Sequence, residues 1–188
     1  MKNSNSIQVH SKAVLFTGRV FDVVREEIEL ASGLRQDLAI VRHPSAVGVV
    51  AMQPDGQVLL VRQYRHAVGR ELLEIPAGRL EPGEEPRKAA LRELEEETGY
   101  RAQSLEPLGS FFPAPGFCSE ELHLFLARDL GWAGPERAAH DADEELATVQ
   151  LPLREALERC SVDAKSWIGL SRAATRLSMP PEGPPPDR

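Results

Sequence analysis

The stretch AGRLEPGEEPRKAALRELEEETGY, residues 77–100, constrains this chain more than any other. Between 81 and 97 it holds seven acids (81, 84, 85, 93, 95, 96 and 97) and three bases (87, 88 and 92). The local net charge of −4 is more than half of the −7 carried by all 188 residues. A helical pattern opens at Pro86 and stops at Gly99, because proline suits a first turn and glycine suits the left-handed stop. At about 100° per residue, Arg87, Ala90, Leu91, Leu94 and Thr98 share one stripe, expected to face a core. Glu93, Glu96 and Glu97 then stand at i, i+3 and i+4 on a neighbouring face, with Arg92 and Glu95 expected on the other side. Like charges at this spacing cost roughly 0.2–0.5 kcal/mol per pair, and a solvated helix more naturally intersperses lysines. The cluster points to a hard divalent cation, which takes carboxylate oxygens together with waters and substrate phosphates. For a Glu-rich helix taken alone, a merely solvated acidic face is the commoner fate.

Spacing decides between the two. Gly78, Glu84, Arg92, Glu93, Leu94, Glu96, Glu97, Gly99 and Tyr100 fit G-x5-E-x7-R-E-U-x-E-E-x-G-U, where U is a bulky aliphatic. Seven fixed letters at roughly 7% frequency each coincide about once in 10⁸ starting points. The segment resembles the box of the Nudix hydrolase superfamily, with Tyr100 where an aliphatic residue is usual. The resemblance implies a loop–helix–loop that holds Mg²⁺, or Mn²⁺, as two or three ions against a diphosphate. It implies Glu93, Glu96 and Glu97 as metal ligands, assisted by the carbonyl of Ala77. Glu84 and Arg92 match a supporting ion pair, and Gly78 and Gly99 take conformational roles.

Around this segment the chain alternates hairpins with helices. Residues 20–30 and 36–42 flank a Ser32-Gly33 turn, and 45–52 and 57–64 flank Pro54-Asp55-Gly56. Further strands are expected at 71–75, 108–112, 121–128 and 146–151, and further helices at 153–160 and 164–177. The expected fold class is α/β (α+β), an α/β/α sandwich with an N-terminal antiparallel strand extension, and the resemblance implies that it is of the Nudix type. The expected division is an extension over 1–44, a hydrolase domain over 45–179 and a Pro-rich disordered tail over 180–188. A hairpin such as 1–44 is marginal alone, so it must dock on the main body or on a second copy. Members of the resembled branch commonly exchange this region, which makes a homodimer the expected assembly.

A second resemblance narrows the substrate. Pro115 lies 16 residues after Gly99, within FFPAPGF (111–117), and VRQYRHAVGRELLEIPAG spans 61–78. Both are similar to the ADP-ribose pyrophosphatase and nucleotide-sugar group, where a proline loop shapes the nucleotide pocket. The implied reaction is metal-dependent hydrolysis of ADP-ribose to AMP and ribose 5-phosphate. GDP-mannose or another nucleotide sugar is the alternative, and a silenced metabolite sensor is a third reading. Arg65 and Arg79 are candidates for the phosphates, since an arginine fork matches phosphate oxygens. Glu74, at a strand end, either binds substrate or pairs with an arginine. The general base resembles a glutamate after the box, with Glu144 preferred over Glu145 and then Asp143. Glu96 is counted with the catalytic set as well as with the ligands.

An acidic chain disfavours broad binding to nucleic acid or anionic membrane, and no apolar run approaches the roughly 18 residues of a spanning helix. Two cysteines make neither a disulfide framework nor a four-cysteine zinc site. The polar amino terminus has no apolar run of a signal peptide, so the expected compartment is the cytoplasm.

Overall fold

A computed structural model describes residues 7–134 and 146–178. The chain divides into two compact units, Met1–Ala46 with Ser110–Leu122, and Val47–Gly109 with His123–Arg188. The 1–44 stretch thus shares its unit with a segment drawn from the middle of the chain.

The first unit is an antiparallel three-stranded sheet in the order β1 (Gln8–Thr17), β2 (Asp22–Glu29), β3 (Arg35–Arg42). β1 is an additional strand beyond those read from the periodicity; it is exposed along its whole length, so it has no inward-facing alternation to reveal it. Cross-strand ion pairs hold the sheet: Arg25 Nε donates to both oxygens of Asp37 at 2.8 and 2.9 Å, and Arg42 donates to Glu26 at 2.9 Å. The Arg42 hydrogen bond holds the Glu26 carboxyl below the usual carboxylate range. At the end of β3, Val41 N–H donates to Phe117 O at 2.7 Å and Ser119 N–H donates to Val41 O at 3.0 Å. These bonds bring residues 117–119 alongside β3 as a short parallel bridge. Pro115 stands in the preceding turn, where Phe117 and Cys118 N–H donate to Ala114 O.

The second unit is built on seven strands in the order β10-β5-β4-β9-β8, with β6 on β5 and β7 on β4. Their ranges are β4 Ala46–Met52, β5 Gln57–Arg65, β6 Arg70–Glu74, β7 Ala77–Arg79, β8 Tyr100–Phe111, β9 Leu122–Trp132 and β10 Ala147–Pro152. Every residue of β4 is buried, as an uninterrupted apolar run covered on both faces requires. One face, through Val47, Val49, Ala51, Phe125 and Ala127, packs on Ala89, Ala90 and Leu94 of α1 (Pro86–Thr98). The other, through Val50 and Leu124, meets Gly169 of α3 (Ala164–Ser178). A short α2 (Leu153–Arg159) precedes it. Helix, sheet and helix make the three layers expected from the sequence. Among the described residues no helix is long and apolar enough to cross a membrane.

The inward face of α1 differs from the expected stripe. Ala89, Ala90, Leu94, Glu97 and Thr98 are buried, Leu91 is half-buried and Arg87 is exposed, its Nη1 donating to Leu105 O. The buried side takes in the two adjacent alanines, Ala89 and Ala90, and extends to Glu97.

Candidate active site

The loop before α1 and the helix itself are joined through their charged groups. Glu85 occupies the N-cap without a side-chain cap bond and Pro86 begins the helix. Gly99 ends it at φ 75°, its N–H donating to Glu95 O at 2.8 Å. A Cβ at Gly99 would lie 2.8 Å from the Trp132 ring, and Tyr100 meets that ring edge-on at 5.2 Å. The aromatic residue at the last box position therefore has an aromatic partner.

Arg92 organises the carboxylates. Its Nε and Nη2 donate to the two oxygens of Glu84 at 3.0 and 2.8 Å, and Nη2 also donates to Arg79 O at 3.0 Å. Its Nη1 donates to Glu93 at 2.7 Å and to Glu96 at 2.9 Å. Chiefly through the Glu84 bond, the guanidinium pKa is raised and the Glu84 carboxyl is held below its usual range. The expectation that Arg92 projects away from the acidic face is thus corrected: the side chain is long enough to reach back across one helical turn. Glu95 does turn elsewhere, pairing with Arg101 at 2.7 Å.

Glu97 is only 7% exposed and accepts the Ala77 N–H at 3.0 Å. Glu93 lies over Gly78, where an added Cβ would sit 2.0–2.2 Å from its carboxylate atoms. Only a residue without a side chain permits that approach. Gly78→Ala should therefore displace Glu93 and slow turnover about tenfold or more, while the fold persists; steady-state kinetics beside a thermal melt check this.

Glu74, 1% exposed, ends β6 just before β7. Arg65 Nε and Nη2 donate to its two oxygens at 2.8 and 2.7 Å, so two of the fork's nitrogens serve a carboxylate. Lys165 also bonds Glu74 and reaches Asp163 at 2.9 Å. Burial pushes the Glu74 carboxyl up, but Arg65 and Lys165 outweigh it and leave the pKa lowered. Lys165, Asp163 and Ser166 were not selected from sequence. Their one signal was an aspartate just before a helical pattern, a helix-start mark. Cys160 is buried, which pushes its thiol up to about 11 and makes it a packing group. Arg79 is exposed, Pro115 belongs to the other unit, and Asp143, Glu144 and Glu145 lie outside the described residues.

The loop–helix–loop with its three oxygen-donor side chains invites comparison with known proteins. A NUDIX domain model matches residues 42–168. The chain belongs to the Nudix family. It is 43% identical over 148 residues to an ADP-ribose pyrophosphatase of Bacillus subtilis, covering 79% of this chain and 80% of that protein. It is 45% identical over 161 residues to the methanol dehydrogenase activator of Bacillus methanolicus, covering 83% and 86%. A crystal structure of an ADP compounds hydrolase superposes with a TM-score of 0.79 at 27% identity, covering 94% of this chain and 97% of that one. This Nudix hydrolase groups with the branch that includes the ADP-ribose pyrophosphatases. The layered α+β architecture is the one the resemblance implied.

Proposed function

We propose that this Nudix hydrolase cleaves the diphosphate of ADP-ribose, yielding AMP and ribose 5-phosphate, with Mg²⁺ or Mn²⁺ held by Glu93, Glu96, Glu97 and the carbonyl of Ala77. The observation that carries the reading is the seat of Glu93 over Gly78, with Glu97 tied to Ala77 in the same short strand β7. The donor set suits such an ion, being all oxygen and drawn from one helix face and the start of β7. Among the described residues no three acidic, His or Cys side chains are already grouped around a metal-sized position; Arg92 bridges Glu93 and Glu96 instead. Glu93, Glu96 and Glu97 would hold two or three such ions, whose positive charge would offset the acidic cluster. When bound, they supply Lewis acidity and an activated water.

The reaction adds water to one phosphorus and breaks its bond to the bridging oxygen, which leaves with the other phosphate. Glu144 is the proposed acceptor of the water's proton, with Glu145 and then Asp143 as the neighbouring choices. Glu144→Gln should lower kcat about 10²-fold with little change in KM, since the help is given in the transition state. A loss seen in Glu145→Gln alone would move the base by one residue.

The box acts on a diphosphate and leaves the nucleotide open, so GDP-mannose and related nucleotide sugars form the second reading. The similarity to a protein named as a methanol dehydrogenase activator extends the range of roles at this level of identity. Turnover of ADP-ribose, GDP-mannose, NADH and 8-oxo-dGTP with Mg²⁺, and again with chelator, separates these readings. Hydrolysis of ADP-ribose alone, abolished by chelator, is the expected result; binding without turnover would mark a sensor. For the exposed strand β1 the proposed partner is a second copy of the chain, because an unpaired strand edge invites pairing.

A further inference from the structure

We infer that Asp163, Lys165 and Ser166, at the start of α3, position Ala77 and Gly78 of β7 from the side away from the acidic helix; this rests on the metal–diphosphate reading of that strand and α1. The segment Glu74–Ala77 is held at every residue. The Glu74 carboxylate takes Arg65 and Lys165. Ile75 N–H donates to Ser166 Oγ at 2.8 Å. Pro76 O accepts Val49 N–H at 2.8 Å, and Ala77 N–H donates to Glu97 at 3.0 Å. The last of these bonds belongs to the candidate metal cluster, so the restraint on Ile75 lies two residues from it.

Ser166 is itself fixed. Its hydroxyl donates to Asp163, so its lone pairs face the Ile75 N–H. Asp163 also accepts the Ser166 N–H at 3.1 Å, an N-cap that sets the first turn of α3. Lys165 bridges Asp163 and Glu74 and so ties the cap to the end of β6. Two carboxylates face two cations in this group, and charge is matched where burial makes an unmatched charge expensive. Gly169, one turn along α3, brings the helix against Ile75, whose Cδ1 would be 3.1 Å from an added Cβ. α3 thus meets the segment through a hydrogen bond and an apolar contact together. Groups behind metal ligands orient them, and their loss typically costs 10- to 100-fold in metal affinity or activity.

The test uses the full chain as wild type, Ser166→Ala, Lys165→Met and Lys165→Arg. Mn²⁺ binding is followed by electron paramagnetic resonance without substrate, beside kcat and KM for ADP-ribose with Mg²⁺ and a thermal melt. Ser166→Ala and Lys165→Met should melt cooperatively, bind Mn²⁺ about tenfold more weakly and lose kcat with KM little moved. Lys165→Arg, which keeps a cation between the two carboxylates, should recover most of both losses. Lowered melting temperature with wild-type Mn²⁺ affinity and kcat would overturn the inference and leave these residues as packing alone. If Ser166→Ala fails to fold, the Lys165→Met and Lys165→Arg pair decides the matter by the same readings. A wild type that binds Mn²⁺ but spares ADP-ribose retires the substrate and leaves the Mn²⁺ comparison as the test. A wild type that binds no Mn²⁺ overturns both.

Discussion

Glu97→Gln should abolish most turnover while leaving a folded protein. The side chain is 7% exposed and accepts the Ala77 N–H, a bond that the amide oxygen of glutamine can also accept. The substitution keeps volume and removes one of three clustered negative charges, so repulsion along α1 falls and stability should hold or rise slightly. What is lost is a charged oxygen for the proposed ion. A metal contributes several kcal/mol of transition-state stabilisation, and about 4 kcal/mol corresponds to about 10³-fold in rate. The expected result is kcat lower by about 10³-fold with an unchanged melting temperature and circular dichroism spectrum. Excess Mg²⁺ should restore part of the loss if affinity is what fell. Full activity in the glutamine variant would remove Glu97 from the site.

Glu74→Ala should be the most destabilising single change at this end of the molecule. The carboxylate is buried and pairs with both Arg65 and Lys165; removing it leaves those two cations with Asp163 as the one remaining carboxylate of the group, and Lys165 is itself mostly buried. Deleting one partner of a buried ion pair costs about 3–5 kcal/mol, against about zero to one for an exposed pair. For a chain of this size that lowers the melting temperature by about 10 °C. The same pair has a pH signature. The folded-state pKa of Glu74 lies below its unfolded value, so its contribution is complete above the unfolded pKa. The contribution is lost as pH falls through the folded value, below the ordinary carboxylate range. Glu74→Gln should therefore flatten the acid limb of a stability-against-pH curve while lowering its plateau near neutrality. A variant with the wild-type acid limb would show that Glu74 titrates normally.

The box around α1 was legible because its information is local. Proline and glycine set the ends of the helix, and Glu93, Glu96 and Glu97 share a face because of helical repeat alone. The uninterrupted apolar run of β4, the turn at Pro54-Asp55-Gly56 and the helices after 153 are local in the same sense. Long, flexible side chains were not. Helical angle places the Cα of Arg92 but not its guanidinium, which gathers Glu84, Glu93 and Glu96 because three anions outweigh the direction of one Cα–Cβ bond. Pairings across long stretches of chain were hidden as well. Glu74 and Lys165 are 91 residues apart, as are Ile75 and Ser166, and neither pair has a spacing that any periodicity reads. Nothing in a linker-based division joins 117–119 to β3, since the bonds there are between backbone groups that every sequence supplies. Side-chain type and local repeat thus specify which chemistry the chain offers, whereas burial brings distant charges together and selects their partners, because a charge taken out of water must be met by whichever opposite charge the packed elements deliver.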